Sequence, residues 1–315
     1  MFRLLLSSGF VAALATVSTA QAPPVEVKAH TALVHHIAFS ADGKFFATAG
    51  FDKTAKIFEY NAGQPKEVKP IPGHTDPVYC VAFSPDGKQL ATSSLDKTVK
   101  LWNIADAKMA VEFKGHTDIV DTIAFSPDGK QLATGSGTLD KTVRLWTVAD
   151  GKEVKNLGAH AGSVYGLVFT PDGKTLFSSG ADNLIKVWDV PGLKLVKDLK
   201  GHELGVTGLT LAGDPNTLVS ISQDRTIRVW DVAGGKETKK FGPTLDDLYG
   251  IAWSKDTKTI VTAGYAGNLS VWDLVSPKPT FASRVKNPTY CVAFAPDGKT
   301  ILAGHENGNV TVTKR

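Results

Sequence analysis

Residues 73–103 read GHTDPVYCVAFSPDGKQLATSSLDKTVKLWN, and the pattern of this stretch returns through almost the whole chain. Its three apolar runs, Val78 to Phe83, Gln89 to Ser93 and Thr98 to Trp102, are each about strand length, and turn residues separate them, which predicts a small antiparallel meander. A lone meander leaves both faces of its sheet uncovered. One copy therefore cannot fold by itself, and the copies must stack into a closed array.

Seven copies follow one another. The third-strand aromatic falls at Phe58, Trp102, Trp146, Trp188, Trp230 and Trp272, at spacings of 44, 44, 42, 42 and 42 residues. The first unit carries Ser40-Ala41-Asp42-Gly43-Lys44 where the second carries Ser84-Pro85-Asp86-Gly87-Lys88; the third, fourth and seventh repeat this turn at Asp128, Asp172 and Asp297. The third unit has two extra residues between Gly135 and Leu139. The fifth has a degenerate turn at Asp214-Pro215-Asn216, and the sixth, with Ser254-Lys255-Asp256-Thr257-Lys258, lacks the histidine and has Ala266 in place of the later aspartate. The seventh stops at Arg315 after its third strand, while Pro24 to Lys28 alternates like a strand but belongs to no unit.

With the Gly-His pair at Gly73-His74 and Gly201-His202 and the Trp-Asp pair at Trp188-Asp189, Trp230-Asp231 and Trp272-Asp273, this period resembles the WD40-repeat family, over residues 24–315. The resemblance implies an all-β fold: a seven-bladed β-propeller of four-stranded antiparallel blades, the fourth strand following each tryptophan. The spare segment Pro24 to Lys28 then supplies the strand that the seventh unit lacks. That closure makes the array one cooperative domain.

Composition agrees with frequent chain reversal, because most of the 30 glycines and 16 prolines recur at fixed positions in the turns. Residues 1–20 have Arg3, an apolar run from Leu4 to Val17 and small residues at Ser18 and Ala20. They read as a signal peptide cleaved after Ala20, with Ala22 the alternative site, disfavoured by Pro23. Such a leader, with near-identical repeats, fits an exported bacterial protein, secreted or periplasmic. Its removal leaves 34 basic and 31 acidic residues, too even a balance for a nucleic-acid footprint. Cys80 and Cys291 are the only cysteines, so no disulfide framework is expected. No second membrane span, no cofactor and no metal are expected, and a monomer is.

Two constellations stand out. The first joins a histidine, a second-strand serine, the turn aspartate and the tryptophan: His74, Ser94, Asp96 and Trp102; His202, Ser222, Asp224 and Trp230; and His116, Asp140 and Trp146. The resemblance implies hydrogen-bonded chains inside the blades. A set recurring blade after blade is how structure behaves, whereas catalysis by Ser, His and Asp needs only one set, with a reachable nucleophile. Gly50 and Gly180 hold the serine position in units one and four, so incomplete networks are expected there. His202-Glu203 lacks the second histidine of a zinc-protease helix. His36, Cys80 and Cys291 share one position in adjoining blades, and are read as core packing ahead of a metal site.

The second constellation is a rim. The residue entering each innermost strand is His35, Tyr79, Asp121, Tyr165, Thr207, Tyr249 and Tyr290, and the residue before each later turn is Phe51, Leu95, Leu139, Ala181, Gln223, Tyr265 and Glu306. Five of the six tyrosines thus fall at two positions around one opening. Tyrosine and phenylalanine supply contact area with a polar handle, and in the family these positions commonly meet protein or peptide partners. The expected function is non-catalytic binding of a protein or peptide through this upper rim. The alternatives are a lactonase- or hydrolase-type propeller seeded by His35, Asp121 and Glu306, and a propeller binding carbohydrate or cell wall. The lysines of the outer strands are expected to guard sheet edges.

Overall fold

A computed structural model describes residues 24–61, 64–254 and 257–315. The leader read at residues 1–20 lies outside them, as do Lys255 and Asp256 of the sixth unit's turn.

The described residues form seven four-stranded antiparallel sheets, each holding four sequential strands except the last. In blade two the strands are Val78–Phe83, Gln89–Ser94, Val99–Asn103 and Met109–Phe113, running from the axis outward. The first reversal is tight because Ser84 Oγ donates to Asp86 (2.6 Å) and receives the Gln89 N–H (2.9 Å), while Gly87 sits at φ 69°, a conformation open to glycine at no steric cost.

Seven apolar clusters form the core, and each spans two neighbouring blades. Trp102 packs with Ala47, Ile57 and Ile71 of blade one, and Trp146 with Leu101 and Phe113 of blade two. A meander's uncovered face is thus buried by the next meander, which is why the stack must close. The last interface joins Cys291, Leu302 and Val312 of blade seven to Val34, Phe46 and Phe58 of blade one.

Closure uses the segment outside the repeats. Val25–Lys28 pairs antiparallel with Asn309–Lys314 as the outer strand of blade seven, with Val25 opposite Val312 and Lys28 opposite Asn309. Lys28 Nζ also donates to the Asn307 carbonyl at 2.8 Å, and the Asn309 amide donates to Glu26 at 2.8 Å.

Some outer-strand lysines do more than shield an edge. Lys197 Nζ donates to the carbonyl of Val232 (2.8 Å), and Lys239 Nζ to that of Leu274 (2.8 Å), each reaching a turn of the following blade.

Candidate functional site

The buried polar networks have a different member from the one expected. His74 Nδ1 lies 2.7 Å from Asp96, but its Nε2 meets Thr92 Oγ1 at 2.7 Å, and the Trp102 indole donates to that same hydroxyl at 2.9 Å. Blade three repeats the arrangement with His116, Asp140, Thr134 and Trp146; blade five uses His202, Asp224, Ser220 and Trp230. Ser94 and Ser222 are therefore not the linking hydroxyls. Ser94 Oγ donates to the Asp76 carbonyl (3.1 Å) and receives the Asp96 N–H (3.0 Å), and Ser222 does the same with Leu204 and Asp224. The reason is the strand period: Thr92 lies on the same face two residues nearer the blade centre, level with the indole.

That correction removes a second expectation. Gly180 leaves blade four's network whole, because Ser178 links His160 and Trp188 at 2.7 and 2.8 Å. In blade one, His30 meets Asp52 and Thr48, and only the indole is missing, since Phe58 stands in its place. A Cβ on Gly50 would fall 2.2 Å from the His30 ring, so the imidazole of blade one occupies space that a side chain at residue 50 would take. Burial opposes ionisation of Asp96, yet hydrogen bonds from His74 and Thr98 outweigh it and hold the carboxyl well below the usual range. The hydroxyls that meet the imidazole Nε2 in blades one to five, Thr48, Thr92, Thr134, Ser178 and Ser220, are fully buried, so these networks hold no solvent-reachable nucleophile.

Blade seven carries a network that the repeat pattern did not reveal. His305, on the second strand, spans Thr289 Oγ1 (3.0 Å) and Thr311 Oγ1 (2.9 Å). The Gly304-His305 pair was its only signal, displaced from the usual place in the repeat.

The innermost strands surround an axial cavity of about 580 Å³. Its mouth is chemically lopsided. Phe51, Tyr79, His35, Tyr290, Tyr249 and Tyr265 form an unbroken run of rings, with successive centroids 4.8, 4.6, 6.5, 5.9 and 6.2 Å apart. They come from blades one, two, seven and six, so half the mouth is aromatic. Tyr165 also lines the cavity but makes no ring contact among the described residues, and Thr207 turns its hydroxyl to the Leu248 carbonyl at 2.7 Å.

Asp121 lines the cavity from blade three, beside the blade of Tyr79, and among the described residues its carboxylate has no hydrogen-bond or ion-pair partner. Burial and the neighbouring Asp118 carboxylate push it up to about 7. Phe51, Leu95, Leu139, Tyr265 and Glu306 are outside the cavity lining, Phe51 and Tyr265 joining the rim only through the rings they touch, and Leu139 is 82% exposed. His35 Nδ1 is bonded to the Tyr79 carbonyl at 2.8 Å. No hydrogen bond or ion pair among the described residues joins His35, Asp121 and Glu306 to one another.

Lower in the cavity, Cys80 Sγ donates to the Val81 carbonyl and Cys291 Sγ to that of Val34. Burial raises both thiols, Cys80 to about 12. Thiols held protonated are poor metal ligands, and no cluster of three metal-ligating side chains occurs among the described residues.

Residues 22–59, 65–103, 108–147, 151–189, 193–231, 235–273 and 278–313 each match the sequence model of the WD domain, G-beta repeat. No curated protein matches the chain.

Proposed function

Because the chain belongs to the WD40-repeat family, whose propellers typically bind proteins, we propose that it is a non-catalytic scaffold, acting in an exported location, that seats a protein or peptide segment on the upper rim of its channel. The observation that carries this reading is the run of six rings at the cavity mouth. Ring clusters beside a cavity are what binding hot spots are made of. Leu95, Leu139, Leu204 and Leu245 add to it. They are 40, 82, 52 and 84% exposed, and all lie in loops of the upper face, where apolar side chains gain from being covered.

Tyr79 and Tyr290 are the anchors, since each touches His35 from a different blade. A Tyr79→Ala, Tyr290→Ala double variant should lose most of the partner in affinity capture, by at least tenfold, while its melting temperature stays within a few degrees of wild type. Capture that survives both changes would place the partner on another face. Export rests on the leader-like composition of residues 1–20. N-terminal sequencing of the chain purified from its source should begin at Gln21, and a chain still beginning at Met1 would contradict export.

A further inference from the structure

The polarity of the cavity mouth narrows what the rim can hold. The cavity is lined by one carboxylate, Asp121, and by no lysine or arginine, although the chain as a whole carries a net charge of +4. Its two imidazoles do not supply the missing charge, because burial holds both His35 and His36 below the usual range, His36 at about 4. His36 is also bonded to the backbone of Val81, and its Nδ1 has no partner. Asp121 and His36 Nδ1 are thus two unpartnered acceptors in this cavity. A largely buried carboxylate with no partner costs free energy that a bound cation would offset. The rings of Tyr79, His35, Tyr290 and Tyr249 line the same cavity, and aromatic faces attract ammonium and guanidinium groups but not anions.

We propose that the channel mouth takes the cationic side chain of a lysine or arginine from the peptide seated on the rim, with Asp121 as counter-ion and the rings of Tyr79, His35, Tyr290 and Tyr249 as the aromatic wall. This rests on the rim reading above and specifies its ligand. The aliphatic stem of either residue lies along the rings while the charged head reaches the carboxylate, so both halves of the side chain find matching surface. A metal ion is a poorer occupant, because one carboxylate cannot complete its coordination.

The test is a selection of random linear peptides on immobilised wild-type protein, counter-screened against the Tyr79→Ala, Tyr290→Ala variant. Peptides that depend on the rim should contain a lysine or arginine whose replacement by norleucine weakens binding at least tenfold. Asp121→Asn should weaken the parent peptide by a similar factor and bind the parent and norleucine forms alike, so that the two losses do not add. The variant should melt at or above the wild-type temperature, since it removes an unpaired carboxylate beside Asp118, and its loss of binding is then not a loss of fold. If Asp121→Asn proves unstable, the norleucine comparison on the wild-type protein decides alone. Rim-dependent peptides that lack a basic residue, or that tolerate norleucine, would overturn the cationic ligand and leave the rim standing. Discrimination that persists in Asp121→Asn would overturn the counter-ion. The absence of any rim-dependent peptide would overturn both readings.

Discussion

A chain beginning at Ala29 should melt roughly 10 °C below one beginning at Pro24. The missing segment forms the outer strand of blade seven, and its ladder runs from Val25 opposite Val312 to Lys28 opposite Asn309. Each ladder hydrogen bond contributes about 1 kcal/mol net. Val27, packed on the cluster that joins the last blade to the first, adds about 1–2 kcal/mol of apolar burial, and Val310 and Val312, now buried, would gain an exposed edge. The total is about 4–5 kcal/mol. Val27→Asp should reproduce most of the loss within the longer chain, whereas Val25→Ser, at a position already 48% exposed, should cost little. Thermal melts within 2 °C of each other for the two chains would show that this strand does not hold the ring shut.

Asp96→Ala should cost about 3 kcal/mol, because it leaves the buried His74 Nδ1–H and the half-buried Thr98 hydroxyl without their acceptor. Thr92→Val should cost nearly as much, by cutting the link between His74 and Trp102. Ser94→Ala should cost only about 1 kcal/mol, since its bonds are to backbone groups at the strand end. Denaturant unfolding separates the three, and an Asp96→Ala variant as stable as wild type would refute the network's role. The effect has a pH signature. The folded protein holds the Asp96 carboxyl below its ordinary value of 3.8, so the carboxylate's contribution is complete above that pH and is lost as pH falls below it. The gap between wild type and Asp96→Ala should therefore be widest at neutral pH and narrow toward pH 2.5.

Much of the architecture was legible because each repeat states the same thing. The spacing of the third-strand aromatics, the Ser84 to Lys88 turn and the unassigned segment at Pro24 to Lys28 imply seven similar sheets and a closing strand, and the sheets have that order. The linking hydroxyl was misplaced for a physical reason. Thr92 and Ser94 occupy one face of one strand, and alternation cannot tell which of them stands level with an indole arriving from the neighbouring strand. Only the register, with Thr92 opposite Lys100 and Leu90 opposite Trp102, decides it. His305 escaped notice because its partners, Thr289 and Thr311, come from the two strands on either side.

The rim shows the same division. Aligning the units places Tyr79, Asp121, Tyr165, Tyr249 and Tyr290 at one level around one opening, since equivalent positions in a repeat must be equivalent in a ring. Alignment cannot show that the rings of blades six, seven, one and two touch in sequence, that Tyr165 stands apart, or that Asp121 is left without a partner. Those facts depend on rotamers and on distances across the axis, between residues more than two hundred positions apart such as His35 and Tyr290. Local pattern determined the blades, their number and the way the ring is joined. The charge and aromatic asymmetry of the mouth was decided only when the first and last blades met, because it is made of contacts that no single repeat contains.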